Sequence, residues 1–135
     1  MIAGDGPAKA SLQKIAGPTI TFLGYQSKEK LKELYTNALA TIFPGDEDFG
    51  LVPIESLSCG TPVIAFKSGG ALESIQEEKT GMFFDEPTSD ALAASLRTFL
   101  TIKDSFLPEN CKESAKKYSR KKFEEQILNH TKNLT

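Results

Sequence analysis

Tryptophan is absent, histidine occurs once and cysteine twice among the 135 residues, and each scarcity removes a class of chemistry. The lone His130 stands near the carboxyl end in a charged, helix-like stretch. A solvated surface role fits it there, so a hydrolase built on a histidine base has little to stand on. Cys59 and Cys111 lack the spacing of metal ligands, which suits a reducing, cytoplasmic compartment. No basic neighbour activates Cys59, which reads as a small core residue. No run approaches the ~18 apolar residues that a membrane-spanning helix needs. The opening "MIAGDGPAKA" lacks the basic head and apolar body of a signal peptide. The formal net charge is only -2, and no global basic field argues for nucleic acid as a partner. Two glycine signatures for phosphate are also missing, G-x-G-x-x-G after a strand and G-x-x-x-x-G-K-[ST]. Dinucleotide oxidoreductases and P-loop nucleotidases thereby lose their main support.

What remains is an ordinary composition, 39% hydrophobic and 25% charged, in a chain of one domain's length. Short apolar runs at 19–24, 39–44, 61–66 and 81–85 read as buried strands. Between them, 9–16, 28–37 and 51–59 carry helical spacing, with a short turn over 72–76. Strands alternating with helices predict an α/β fold, a Rossmann-like parallel sheet flanked by helices. Beyond Asp85 the pattern is helical, over 90–100, 109–118 and 120 to about 133. Leu92, Leu96, Phe99 and Leu100 make an amphipathic stripe there. Residues 1–3 read as the end of a strand running into a glycine turn. So short a first strand, against a usual length of about five or six residues, predicts that an earlier part of the sheet precedes Met1. No linker marks a second domain.

The stretch "FPGDEDFGLVPIESLSCGTPVI" (43–64) sets three acids, Asp46, Glu47 and Asp48, against the start of a helix. Pro53 has no N–H and is tolerated only in a first turn, which places that start near Gly50 or Leu51. Gly60 stops the helix and Pro62 prevents its continuation; Leu51, Ile54 and Leu57 can face the core. The amino end offers unpaired N–H groups from Phe49 to Val52 and the positive end of the helix dipole, an anion site suited to phosphate. Capping by the acids is the plainer reading, although one acid would suffice and three are present. The turn in "KSGGALES" (67–74) either offers amides in the same way or uses its glycines for geometry alone. A metal site on Asp46, Glu47 and Asp48 is a poor fit, because adjacent side chains rarely point at one ion.

Glu47, seven residues and Glu55, within "EDFGLVPIESLSCGTPVIAFKSGGALESI", resemble the donor-binding signature of glycosyltransferase family 4. "AGDGP", "ITFLGYQSKEKLKELYTNA" and "EEKTGMFFDEPTSDALAASL" resemble further parts of that family, and "YSRKKFEEQIL" is similar to its helix that crosses back toward the partner domain. The resemblance implies the carboxyl-terminal, donor-binding domain of a GT-B enzyme, retaining and metal-independent, lacking its first βα unit and its amino-terminal acceptor domain. It implies a hexose moved from a GDP- or UDP-linked nucleotide sugar to a glycan or lipid-linked acceptor, with mannose and polysaccharide synthesis as the narrower comparison. No cofactor and no metal are implied.

By the same resemblance, Glu47 would bond donor-sugar hydroxyls as the catalytic residue. Phe49, Gly50 and Leu51 would give N–H groups to the diphosphate, and Glu55 would accept from the ribose. A carboxylate suits adjacent hydroxyls because it has two acceptor oxygens and donates nothing. Gly24, Tyr25 and Gln26 would lie beside the base, and Gly4 and Gly6 would border the phosphate cleft. The family's Arg and Lys fall on a strand-loop before Met1, so the isolated chain is expected to transfer little or no sugar. A non-catalytic nucleotide-sugar binding or interaction module is the alternative. Where the family commonly carries an aromatic and an acid, "SRKKF" carries Arg120, Lys121 and Lys122. With Lys116 and Lys117 they form a basic cluster that suits peripheral contact with anionic lipid at an inner membrane face, or else a solvated face interspersed with Glu124 and Glu125.

Overall fold

The computed structural model describes residues 1–132, in two compact units, Met1–Leu34 and the chain from Tyr35 onward. In the first unit β1 (Ile2–Ala3) runs parallel to β2 (Phe22–Gly24), with Ile2 opposite Phe22. The helix α1 (Lys9–Ile15) makes the crossover. The strand is shorter than the apolar run that predicts it. Pro18 and Thr19 stand in a turn, and Ile20 donates its N–H to the Gly17 carbonyl at 3.1 Å. Proline's fixed φ and missing N–H favour that turn over a ladder, so pairing begins only at Phe22. The next helix, α2 (Lys28–Asn37), starts where the sequence predicts. Ser27 Oγ accepts the Lys30 N–H at 3.2 Å, satisfying one of the helix's open donors.

In the second unit β3 (Thr41–Phe43), β4 (Val63–Phe66) and β5 (Gly81–Phe84) form a parallel sheet in that order. Ile42 faces Ile64, and Ile64 faces Met82. The helices α3 (Leu51–Ser58) and α4 (Ala71–Ser74) make the two crossovers, and α5 (Ser89–Ile102), α6 (Pro108–Ala115) and α7 (Arg120–Lys132) follow. Strand side chains alternate between faces, and β4 and β5 are apolar on both because both faces are covered, whereas Ile42 on the edge strand β3 is 43% exposed. Phe43, Val63 and Ala65 pack with Leu57, Ala71, Ile75, Cys111 and Ala115. Ile64 and Phe84 pack on the other side with Phe99 and Phe106. Parallel sheets flanked by helices are the architecture the alternation predicts, although the strands pair as two sheets rather than one.

Two positions leave the core face predicted for them. Leu51 is 59% exposed, because the chain enters α3 through a left-handed Gly50 and the buried face falls on Pro53, Ser56 and Leu57. Leu100 is 57% exposed whereas Phe99 is 2% exposed; with about 3.6 residues per turn consecutive residues stand about 100° apart, so Phe99 takes the buried face and Leu100 its outer edge. Helix ends also shift. Thr88 accepts the Ala91 N–H at 3.2 Å and caps α5, which runs on to Ile102. The short turn predicted over 72–76 is α4, which begins at Ala71. Pro108 opens α6, and the predicted end of that helix is a separate 3-10 turn, Lys116–Tyr118. The predicted last helix is α7; its end at Asn133 lies outside the described residues. His130 is exposed, Cys111 buried and Cys59 half-buried at the end of α3. Among the described residues no helix is long and apolar enough to cross a membrane.

Candidate functional site

The loop from β3 to α3 carries the three acids, and glycine sets its path. Gly50 is the residue before α3 and lies in the left-handed region, φ 66°, where a β-carbon is costly. No side chain caps the helix, so capping does not describe Asp46, Glu47 or Asp48. Asp46 instead accepts the Ser68 hydroxyl at 2.6 Å. The backbone carbonyl of Glu47 accepts the Gly70 N–H at 2.8 Å, and Glu47 and Asp48 are both exposed.

The second glycine turn serves this loop. An ideal β-carbon at Gly70 would lie 2.5 Å from the Phe49 carbonyl and 2.7 Å from the Asp48 carbonyl oxygen. One at Gly69 would lie 2.9 Å from Asp46 Oδ1. The glycines allow two backbones to touch, which is the geometric alternative left open by the sequence. The helix they precede, α4, has four residues, too few to build an anion seat of its own.

Among the described residues, the N–H groups of Phe49, Gly50, Leu51 and Val52 meet no backbone or side-chain acceptor. A helix's first donors have none within the helix, and the dipole adds partial positive charge there. Phe49 is 62% exposed. Gly50 is buried between Phe49 and Leu51, both exposed. Two surface cavities, of about 210 and 550 Å³, border other residues, the first Gln76, Lys79 and Glu113 and the second Glu78, Thr101 and Asp104. Neither is lined by Glu47 or Glu55.

Glu55 sits inside α3 and is exposed. Its Oε2 accepts the hydroxyl of Tyr35, in the last turn of α2, at 3.3 Å. Burial first, and then the Glu55 charge, push the Tyr35 hydroxyl up to about 12. The Tyr35 carbonyl in turn accepts the Thr61 hydroxyl at 2.5 Å. Ser56 Oγ lies 2.8 Å from the Thr41 hydroxyl and 3.0 Å from the Thr61 carbonyl. Thr61 of the Gly-Thr-Pro sequel is therefore an anchor between elements as well as part of a helix stop. Sequence reasoning missed Tyr35, twenty positions before Glu55, because no local period connects them. Thr61, a hydroxyl between two helix breakers, was the one available signal.

The remaining predicted residues belong to the first unit. Gly4 donates its N–H to the Gly24 carbonyl at 2.7 Å, so the turns after β1 and β2 adjoin. Gly6 donates to Asp5 Oδ1 at 2.9 Å. The Lys9 ammonium, 3.0 Å from Asp5, and the Gly6 N–H hold the Asp5 carboxyl below its ordinary value. Tyr25 is 86% exposed, while the Gln26 amide donates to the Leu23 and Tyr25 carbonyls at 2.8 and 2.9 Å. Glu47, Phe49, Gly50, Leu51 and Glu55 all belong to the second unit.

Three residues of the basic cluster pair with acids close in sequence. Lys116 meets Glu113, Arg120 meets Glu124 at 2.7 Å, and Lys122 meets Glu125 at 3.1 Å. Lys117 donates to the Glu73 carbonyl at 2.9 Å. On the same helix Phe123, Ile127 and Leu128 are exposed. Among the described residues no group of three or more His, Cys, Asp or Glu is placed to hold a metal ion.

Comparison with known proteins shows what the chain is similar to. The chain is 34% identical over 104 residues, 75% of its length and 27% of the relative's, to the GDP-mannose-dependent alpha-(1-6)-phosphatidylinositol dimannoside mannosyltransferase of Mycobacterium tuberculosis. Its fold matches sucrose-phosphate synthase from Thermosynechococcus elongatus with a TM-score of 0.84 and 27% identity, over 97% of this chain and 37% of that one. It also matches Anabaena HepE, solved with UDP and glucose, with a TM-score of 0.77 and 22% identity, over 97% of this chain and 39% of that one. The chain spans about a quarter to a third of the length of the curated relatives it matches. With residues 1–118 matching the model for glycosyl transferases group 1, this chain belongs to that family.

Proposed function

We propose that this chain is the donor-binding part of a retaining, metal-independent glycosyltransferase of family 4. It serves transfer of a hexose, mannose in the narrower reading, from a GDP- or UDP-sugar to a glycan or lipid-linked acceptor on the cytoplasmic side. One observation carries the reading: the unpaired N–H groups at Phe49, Gly50 and Leu51, at the start of α3, stand between Glu47 and Glu55 in the chain. The amides seat the diphosphate, Glu47 accepts hydroxyls of the sugar, and Glu55 accepts from the ribose. The mycobacterial relative's name supports a GDP-mannose donor and a lipid-linked acceptor.

The transfer itself forms a bond from the acceptor oxygen to the anomeric carbon and breaks the bond from that carbon to phosphate. Both events use one face of the sugar, and the acceptor proton passes to the departing phosphate. The protein's task is then electrostatic, to stabilise charge growing on the diphosphate. Backbone amides do this without reorganisation at the moment of reaction. They also separate the acids from the phosphate, which like charge would otherwise repel.

Transfer is tested by assaying GDP- and UDP-hexoses with the 135-residue chain alone and with the amino-terminal half of the mycobacterial relative supplied. The chain alone is expected to bind nucleotide sugar weakly and to transfer little, with transfer rising when the second half is added. Turnover by the chain alone at an ordinary roughly 1–10 s⁻¹ would contradict the division of labour. Tight binding that never leads to transfer would favour a non-catalytic binding module.

The acids beside Lys116, Arg120 and Lys122 offset their charge and weaken attraction to an anionic surface, which favours solvation over lipid contact for the basic cluster. Co-sedimentation with vesicles is expected to be the same with and without phosphatidylserine. A gain on adding that lipid would restore the peripheral membrane contact.

A further inference from the structure

We infer that Tyr35 is a positioning residue for ribose recognition, its hydroxyl holding one carboxylate oxygen of Glu55 so that the other is presented to the nucleotide. The inference rests on the ribose role proposed above for Glu55. A glutamate on an exposed helix face has many rotamers, and a ligand that needs one of them must pay for ordering it. Here the ordering is partly done. Tyr35 Oη lies 3.3 Å from Glu55 Oε2, which leaves Oε1 and the second lone pair of Oε2 for a pair of adjacent hydroxyls.

The donor is firmly mounted. The Tyr35 carbonyl is held by the Thr61 hydroxyl at 2.5 Å, and Thr61 is itself buried, 3% exposed. The buried Ser56, next to Glu55 on α3, bridges Thr41 and Thr61. One polar network thus fixes both the tyrosine and the turn of helix that carries the glutamate. Because the Tyr35 hydroxyl is pushed up to about 12, it stays a donor throughout the working pH range. A phenylalanine would keep the ring and its packing and lose only the bond.

The test is calorimetric titration of the chain with UDP, GDP, their 2′-deoxy counterparts and inorganic pyrophosphate. It compares the parent with Tyr35→Phe, Glu55→Ala and the double variant, each checked for an unchanged unfolding midpoint. The parent is expected to prefer the ribonucleotide by about tenfold, the worth of a hydrogen bond to a charged group. Tyr35→Phe should reduce that preference to about threefold and leave pyrophosphate affinity unchanged, an effect that a merely structural tyrosine would not produce. Glu55→Ala should abolish the preference, and Tyr35→Phe should then add nothing. If Glu55→Ala abolishes the preference while Tyr35→Phe leaves it intact, Tyr35 has no such role and the ribose reading stands. If Glu55→Ala keeps the preference, the ribose reading fails and takes the inference with it.

Discussion

Gly70→Ala is expected to lower stability by about 1–3 kcal/mol, the usual cost of forcing an extra carbon into a packed site, and to weaken nucleotide-sugar binding at least tenfold. The direction is diagnostic. Gly70 has φ -63° and ψ -16°, a conformation that alanine adopts freely, so chain entropy alone would make the substitution stabilising. The opposite sign is expected because the new carbon would lie 2.5 Å from the Phe49 carbonyl. What it meets is backbone, which cannot rotate away. Relief requires moving the 46–50 loop, and that movement also strains the bond from Gly70 N–H to the Glu47 carbonyl. Fold and anion seat should therefore suffer together. Gly17→Ala is the matched control, with no heavy atom within 4 Å of the added carbon, and should stay within about 0.5 kcal/mol. Urea unfolding and a nucleotide titration on both variants check the pair. A stabilised Gly70→Ala would mean that the two glycines do not hold the acid loop.

Under the proposed function, Glu47→Ala and Glu55→Ala, assayed with the amino-terminal half of the mycobacterial relative supplied, are each expected to cost about tenfold to a hundredfold in kcat/KM for the donor. That range is a hydrogen bond to a charged group, about 1.5–3 kcal/mol, read as a rate. The two losses should differ in kind. Glu47 is assigned to the sugar, so its removal should weaken binding only with the hexose present and should not weaken the affinity for UDP or GDP. Glu55 is assigned to the ribose, so its removal should weaken nucleotide and nucleotide sugar alike. Either removal deletes a negative charge near the diphosphate seat, so affinity for inorganic pyrophosphate should rise slightly as repulsion falls. Titrations with pyrophosphate, nucleotide and nucleotide sugar separate these three effects. If neither variant changes donor use, the two glutamates are not the sugar and ribose acceptors.

The legible part of the molecule was local. Pro53 and Gly60 bracket α3 through their own backbone chemistry, and the helix indeed runs Leu51–Ser58. The apolar runs that became β4 and β5 were readable because strands covered on both faces need no polar positions. Two kinds of feature escaped. Which neighbour in a helix faces inward depends on the partner surface, so Leu51 and Leu100 were placed inside although they are exposed. Contacts distant in sequence left no local trace: Asp46 is held by Ser68, Gly70 touches Phe49, and Tyr35 reaches Glu55. Capping, the plainer alternative for the acids, does not hold, because the cap position is Gly50 and uses no side chain. Their spacing marked the candidate site, but only the tertiary contacts give it a rigid frame.

The central claim is that a diphosphate rests on the backbone nitrogens at the start of α3. The most direct measurement follows backbone amide resonances of the isotopically labelled chain as GDP-mannose or UDP-glucose is added, a method that registers weak binding. The largest shifts are expected at Phe49, Gly50 and Leu51, with inorganic pyrophosphate reproducing them. Saturable binding that leaves those amides unmoved while others shift would contradict the claim.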